Sequence, residues 1–278
     1  MHGTFSQESV SIKVPATDAA HTRVRRFFTA NMKLFEKLSA RVAEYDEKQN
    51  FTCDVCGREV FGGERICAKC AALLPWNNGA VCPFCGRKVR EEGVCLECKE
   101  KPLSTEKARS VFTHEGEAAA LVLRFKNGKK YLFRTLCDVL LPVYEREFAE
   151  ADGFVCVPMT EKAMKKRGYN QSRLLAEELA RRTGKPFFDV SVKIRESAPQ
   201  KSLGRREREK NLEGCFRVQD RAAIKGKTLV LVDDTLTTGA TSSELADCLL
   251  RAGAKKVFLL TVTSAEKKDP FGVPPKKE

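Results

Sequence analysis

Long apolar runs are missing from this sequence. One of the longest, Ala118–Leu123, is far shorter than the about 20 residues that a helix needs to cross a bilayer. Residues 1–25 also lack the apolar segment of a secretory signal. These absences predict a cytoplasmic protein with no membrane span.

Trp and Tyr are few as well, with one Trp and four Tyr in 278 residues. Proteins that grip single-stranded nucleic acid usually stack the bases on aromatic side chains in a basic groove. Positive charge is abundant, since 50 Lys and Arg against 37 Asp and Glu give a formal net charge of +13. This balance favours an anionic partner, such as nucleic acid, a phosphorylated metabolite or acidic lipid, without choosing among them.

The chain divides into four stretches by composition. Residues 1–50 combine a polar start with an amphipathic helix, residues 51–104 are rich in cysteine, residues 105–266 alternate strands and helices, and residues 267–278 form a Pro- and Lys-rich tail. We expect the first helix to dock on its own domain; the alternative is a contact with a partner or a second copy, which would make an oligomer. Its apolar positions are Phe28, Met32, Phe35, Leu38, Val42 and Tyr45.

Short apolar strands alternate with helices in the third stretch. This order predicts an α/β fold with a parallel sheet flanked by helices. The predicted strands are Ala108–Gly116 with its turn, Phe154–Val157, Phe188–Ile194, Thr228–Val232 and Val257–Val262. The predicted helices are Ala118–Phe125, Tyr131–Phe148, Gln171–Arg182 and Ser242–Ala252.

Eight of the twelve cysteines form four C-x-x-C pairs, and this predicts two structural zinc sites. Each pair brings two thiolates to one ion from a tight turn, and four thiolates leave no position for water. The metal would replace the apolar core that this stretch lacks. Sequential ribbons are favoured over an interleaved cross-brace. The predicted zinc ligands are Cys53, Cys56, Cys67, Cys70, Cys82, Cys85, Cys95 and Cys98.

Two adjacent acidic residues, Asp233 and Asp234, follow the apolar strand Thr228–Val232. Ligands of open α/β sheets bind beyond the carboxyl ends of the strands. The next segment, Thr235–Thr241, ends where a helix begins, so its hydroxyls and free N–H groups can hold a phosphate. Because carboxylates accept hydrogen bonds from hydroxyls, the pattern predicts a site for a ribose 5-phosphate, with Mg²⁺ as a further ligand of the acids. The alternative is a strand end with two solvated aspartates and a threonine cap.

The segment "VLVDDTLTTGAT" resembles the phosphoribosyl pyrophosphate (PRPP) motif of type I phosphoribosyltransferases. Two further segments, Cys156–Ala180 and Glu196–Phe216, are similar to those of one branch, the ComF family, and the cysteine pairs also fit. The resemblance covers roughly residues 50 to 264. It implies a type I phosphoribosyltransferase-like fold behind a double zinc ribbon.

The resemblance also implies roles for individual residues. Asp233 and Asp234 would be catalytic and hold the ribose, Pro158–Thr160 would face pyrophosphate, Arg167 would stand at the rim of the site, and Glu196–Arg208 would close over it. Met159–Thr160 departs from the family pattern, in which we expect a second proline. The residues implied to line the 5-phosphate are Thr235, Thr237, Thr238, Gly239, Ala240 and Thr241.

The implied function is that of a PRPP-binding, phosphoribosyltransferase-like protein with Zn²⁺ and Mg²⁺ that takes part in DNA uptake during natural competence. Its implied partners are PRPP or another ribose 5-phosphate, single-stranded DNA and DNA-uptake proteins. The alternative is a non-catalytic accessory factor that binds nucleic acid through the zinc ribbon and the basic loop. No residue pattern identifies an acceptor substrate.

Overall fold

A computed structural model describes residues 52–195 and 213–265 of the chain. The helix predicted over Phe28–Tyr45, the segment Glu196–Arg208 and the tail 267–278 lie outside the described residues. Among the described helices, none is both long and apolar enough to cross a bilayer.

The described helices and strands are interspersed from the first strand onward. The helices are α1 (Ala68–Leu73), α2 (Leu96–Glu100), α3 (Gly116–Lys126), α4 (Phe133–Glu147), α5 (Glu161–Arg167), α6 (Gln171–Thr183) and α7 (Ala240–Arg251). The strands are β1 (Lys107–Thr113), β2 (Gly153–Cys156), β3 (Ser191–Lys193), β4 (Phe216–Val218), β5 (Thr228–Leu236) and β6 (Lys256–Ser264).

Four strands form a parallel sheet in the order β1-β6-β5-β2. Its strand β5 begins with Thr228 and a continuous apolar run, Leu229–Val232, that suits a strand buried on both faces. Val230 and Val232 pack in one core with α3, α4 and α6, whereas Leu229 and Leu231 pack in a second core with α7. The sheet therefore has helices on both faces, as the sequence predicts.

The structure corrects two strand predictions. Only Ser191–Lys193 of the predicted strand Phe188–Ile194 is a strand, and it pairs antiparallel with β4 outside the main sheet. The predicted end of β5 at Val232 is also wrong, because Thr235 pairs with Thr263 of β6 and the strand continues to Leu236. The two aspartates are thus held inside a strand by hydrogen bonds of the sheet.

The cysteine-rich stretch folds as two small ribbons that contact the α/β domain. In the first ribbon, the backbone carbonyl of Asp54 accepts a hydrogen bond from Arg124 Nη1 at 2.5 Å, and its carboxylate accepts one from the Thr135 hydroxyl. In the second ribbon, the backbone carbonyl of Phe84 accepts a hydrogen bond from the N–H of Ala108 in β1 at 2.7 Å. The ribbons are thereby fixed to the sheet and its helices.

Candidate functional site

The two adjacent aspartates have separate partners. Asp233 Oδ1 accepts hydrogen bonds from the Ser172 hydroxyl at 2.7 Å and from the N–H of Asp234 at 2.9 Å. Asp234 Oδ1 lies 2.7 Å from Lys126 Nζ, in an ion pair whose members are both mostly buried. Ser172 is in the first turn of α6 and Lys126 is the last residue of α3, so each carboxylate is held by a different helix. This division keeps two like charges apart at the end of β5.

Burial raises the pKa of Asp233 to about 7, and the negative charge of Asp234 adds to the rise. The hydrogen bonds from Ser172 and from the N–H of Asp234, together with the charge of Lys126, act in the opposite direction. Near neutral pH this carboxyl therefore exchanges readily between its protonated and ionised forms. A ligand that supplies hydroxyl donors or a cation would stabilise the ionised form of this carboxyl.

We expect Asp233 to give the ligand-free protein a pH-dependent stability. The stabilisation from its protonated form is full below about pH 4 and is lost as the pH rises through about 7, because the unfolded carboxyl loses its proton first. Asp233→Asn removes this dependence. Relative to the variant, the wild-type free energy of unfolding should fall by about 1 kcal/mol per pH unit between pH 5 and 7.

Denaturant unfolding of both proteins across this pH range measures the difference. Asp247→Asn, on α7 beyond its first turn, controls for the removal of one acidic group. A wild-type minus Asp233→Asn difference that stays constant from pH 5 to 7 would contradict the raised pKa.

The predicted phosphate loop is shorter than the segment Thr235–Thr241. Thr237, Thr238 and Gly239 connect β5 to α7, and Ala240 already begins the helix. The Thr238 hydroxyl accepts a hydrogen bond from the N–H of Ala240 at 3.3 Å, and Gly239 has a φ of 80°, a conformation that favours glycine. Because the first N–H groups of a helix have no acceptor within it, the start of α7 can receive an anion.

Among the residues predicted to line the 5-phosphate, Thr235 lies apart from the others. It lies in β5, and its hydroxyl contacts Lys126 Nζ at 3.2 Å and the Thr263 hydroxyl at 3.3 Å. The structure therefore places Thr235 with the carboxylates, whereas Thr237, Thr238, Gly239, Ala240 and Thr241 lie together at the start of α7.

Lys126 is a site residue that the sequence analysis missed. It ends α3, a helix predicted from its apolar residues, and its amine contacts both Asp234 and Thr235. The hydroxyl of Tyr169 donates a hydrogen bond to the carbonyl of Phe125, which ties the end of α3 to the segment before α6. A lysine at the end of a helix is common in sequences, so nothing in the local pattern marks this one.

Pro158, Thr160 and Arg167 lie on the connection between β2 and α6. Thr160 caps α5 by accepting a hydrogen bond from the N–H of Ala163 at 3.2 Å, and Arg167 Nη1 donates to Gln171 Oε1 at 2.9 Å. Asn170 accepts from the N–H of Arg173 and so caps α6, while its amide donates to the carbonyl of Val157 at 2.9 Å. This second bond holds the start of α6, with Ser172, at the carboxyl end of β2.

His114 contacts β6 near the aspartates. Its Nδ1 lies 2.9 Å from the hydroxyl of Thr263 in β6. Burial lowers the pKa of His114, the charge of Lys126 lowers it further, and the charge of Asp234 acts on this pKa in the raising direction. The neutral imidazole thus serves as a hydrogen-bonding partner of the strand end.

The eight paired cysteines gather into two clusters in sequential order. Within each cluster the four sulfur atoms lie within 4.8 Å of one another. Contacts of 3.9 Å between Cys56 and Cys67 and 3.7 Å between Cys85 and Cys95 match the roughly 3.8 Å edge of a tetrahedron with Zn–S bonds of about 2.3 Å. The clusters are Cys53, Cys56, Cys67 and Cys70, and Cys82, Cys85, Cys95 and Cys98.

The four cysteine sulfurs of each cluster fit a structural zinc site. Backbone N–H groups face the sulfurs, with Cys67 N 3.3 Å from Cys53 Sγ and Cys95 N 3.5 Å from Cys82 Sγ, and such donors stabilise thiolates. The ribbons have only small apolar cores around these cysteines. The metal would therefore supply much of their folding free energy.

Elemental analysis of the purified full chain should give two equivalents of zinc per chain. Each Cys₄ cluster could hold one ion with all four positions filled by protein. Cys53→Ser and Cys82→Ser, one in each cluster, should each leave one equivalent. A wild-type value of one equivalent or none would contradict the two-site assignment.

Comparison with known proteins agrees with both parts of this architecture. Residues 50–99 match the double zinc ribbon domain family, and residues 170–270 match the phosphoribosyl transferase domain family. The chain is also similar to the crystal structure of orotate phosphoribosyltransferase from Aeropyrum pernix, with a TM-score of 0.32 and 20% identity over 51% of this chain and 64% of that one.

Two curated relatives span most of their own length in the match. The competence protein ComFC of Bacillus subtilis is 28% identical over 220 residues, which are 73% of this chain and 86% of that protein. The DNA utilization protein YhgH of Salmonella typhimurium is 31% identical over 209 residues, which are 69% of this chain and 87% of that protein. Given this similarity, the double zinc ribbon and the type I phosphoribosyltransferase fold, the chain belongs to the ComF/YhgH family.

Proposed function

We propose that this protein binds PRPP with Mg²⁺ at the carboxyl end of β5. The observation that carries the proposal is the placement of two carboxylates and a phosphate loop on one continuous segment. Asp233 and Asp234 lie near the carboxyl end of the strand, and the loop residues Thr237–Gly239 lead directly into α7. A ribose with a phosphate on its 5-carbon spans such a pair of subsites.

The two subsites have complementary chemistry. The N–H groups at the start of α7 and the threonine hydroxyls favour a dianionic phosphate. The carboxylates favour the ribose hydroxyls, which donate hydrogen bonds. Gly239 lets an oxygen-rich group approach the backbone, since it has no side chain between the loop and the ligand.

Lys126 completes the charge pattern on the other side of the carboxylates. Its amine lies 2.7 Å from Asp234 Oδ1 and neutralises that carboxylate. When Asp234 accepts a hydrogen bond from a ribose hydroxyl, the Lys126 amine beside it becomes available to an anionic ligand, and the exposed Arg167 lies on the connection that contains Pro158. Mg²⁺ would offset the remaining charge of the pyrophosphate.

The reaction that this site supports is displacement of pyrophosphate from C1 of the ribose. The bond between C1 and the pyrophosphate oxygen breaks, its electron pair leaves with pyrophosphate, and a bond to an acceptor nucleophile forms at C1. The protein contributes positioning and stabilisation of the charge that develops on the ribose and the leaving group.

The names of the relatives suggest the biological setting. YhgH is called a DNA utilization protein and ComFC a competence protein. We propose that this chain acts in the handling of DNA taken up by the cell, in the cytoplasm, where cysteine clusters stay reduced and bind zinc. The exposed residues Lys165, Lys166 and Arg167 at the end of α5 would attract a phosphate backbone near the site.

A thermal-shift titration with PRPP and Mg²⁺ tests the proposal. PRPP should raise the melting temperature in a saturable way, because it binds only the folded state. Ribose 5-phosphate should give a smaller rise in melting temperature, since it lacks the pyrophosphate. Adenosine monophosphate is the third ligand in the titration. No response to any of the three would overturn the proposal.

A further inference from the structure

The two zinc ribbons carry the same short motif in different surroundings. In both, Cys-x-x-Cys is followed by Gly and Arg, as Gly57–Arg58 and as Gly86–Arg87. Around Gly57 there is open space, and Arg58 is exposed and contacts a cysteine sulfur of its own ribbon at 3.4 Å. A Cβ on Gly86 would stand 2.3 Å from the carbonyl oxygen of Ala108 in β1. The second motif is therefore packed against the sheet, and the first faces solvent.

Arg87 connects the second zinc cluster to the phosphate loop. This arginine is buried, with 6% of its surface exposed. Its Nη1 lies 2.5 Å from Glu97 Oε2, and its Nη2 donates a hydrogen bond to the backbone carbonyl of Thr237. Arg87 follows one cysteine pair of the cluster, Cys82 and Cys85, and Glu97 lies within the other, so both pairs help to place the guanidinium.

A second contact joins the same two parts. Leu103, which follows the ribbon, packs against the cysteines of the second cluster and also against the core that contains Ala240. A Cβ on Gly239 would stand 2.3 Å from Leu103 Cδ2, and the N–H of Ser104 donates to the Ser243 hydroxyl of α7 at 3.3 Å. The loop and the first turn of α7 thus rest on the second ribbon and the segment after it.

We infer that the second zinc ribbon positions the phosphate loop through Arg87, so that zinc in this ribbon and an anion in the loop stabilise each other. This inference rests on the proposed function of the loop. Because Arg87 already fixes the carbonyl of Thr237, the loop loses less conformational freedom when a phosphate binds to its N–H groups. Coupling between two binding sites is reciprocal, so PRPP should in turn hold zinc in the second cluster. In the first ribbon the matching arginine, Arg58, is exposed and contacts Cys56 of its own ribbon, while Asp54 contacts Arg124 of α3 and Thr135 of α4 rather than the phosphate loop.

Two measurements on the zinc-loaded full chain test the inference. The first is the dissociation constant of PRPP with Mg²⁺ for the wild type, Arg87→Gln and the matched control Arg58→Gln. Loss of a charged hydrogen bond to the loop should weaken binding by about tenfold or more in Arg87→Gln, and Arg58→Gln should bind as the wild type does. Arg87→Lys keeps the charge and one donor group, so it should recover part of the affinity.

The second measurement is the rate of zinc release to a chromogenic chelator, with and without PRPP. In the wild type, PRPP should slow the release of one of the two zinc equivalents several-fold and leave the other unchanged; in Arg87→Gln it should slow neither. If Arg87→Gln fails to fold, the selective effect of PRPP on zinc release from the wild type still tests the coupling.

The outcomes separate the two proposals. If PRPP does not bind the wild type, the proposed function fails and this coupling fails with it. If PRPP binds the wild type and Arg87→Gln equally, or changes the release of both zinc ions or of neither in the wild type, the coupling alone is overturned.

Discussion

Asp233→Asn and Asp234→Asn should each weaken the binding of PRPP by at least about tenfold and abolish the release of pyrophosphate from it. An asparagine has the shape of the aspartate but only one oxygen and no charge, so it loses charge-assisted hydrogen bonds to the ribose hydroxyls, worth about 1.5–3 kcal/mol each. Asp234→Asn also leaves Lys126, 2.7 Å from the replaced oxygen, without its charged partner.

Isothermal titration with PRPP and Mg²⁺, beside an assay of pyrophosphate release, measures both effects. Asp247→Asn removes the same charge from α7 away from the site, and it should behave as the wild type does. If both site variants bind PRPP normally, the carboxylates do not hold the ribose. If they lose PRPP but keep salt-sensitive binding of single-stranded DNA, the DNA-binding surface is separate from the ribose site.

Gly239→Ala should both destabilise the protein and weaken PRPP binding. The residue has a φ of 80°, where a side chain strains the backbone, and the new methyl group would meet Leu103 Cδ2 at 2.3 Å. The strain and the displacement of Leu103 together should cost about 2–3 kcal/mol of unfolding free energy. Because Gly239 leads into α7, a shift there also moves the N–H groups that face the phosphate, and PRPP affinity should fall by about tenfold or more.

Gly184→Ala is the matched control, since Gly184 also has a positive φ of 68° but has nothing within 4 Å of the new Cβ. Through backbone strain alone, this substitution should lower the free energy of unfolding by about 1 kcal/mol and leave PRPP affinity unchanged. Chemical denaturation and titration calorimetry measure the two quantities. Equal losses of stability in the two variants would show that the contact with Leu103 does not constrain the loop.

The parts of this protein that were predictable have local patterns. Two thiolates in a C-x-x-C turn and a run of apolar residues are features of a few adjacent positions, so the sequence alone predicts the cysteine clusters and the start of β5. The end of β5 and the pairing of β3 could not, because they depend on which strand lies alongside. Intrinsic β propensity is a weak guide to the extent of a strand when pairing with a neighbouring strand determines it.

The composition of the site follows the same division. The sequence alone predicted a site at Asp233, Asp234 and the threonine loop, because they are adjacent in the chain and follow an apolar run. Tertiary structure alone brought in Ser172, Lys126 and Arg87, whose contacts to this segment join residues 61, 109 and 150 positions apart. These partners are selected by the packing of α3, α6 and the second ribbon around one strand end, and no local preference of a serine, lysine or arginine specifies such a contact.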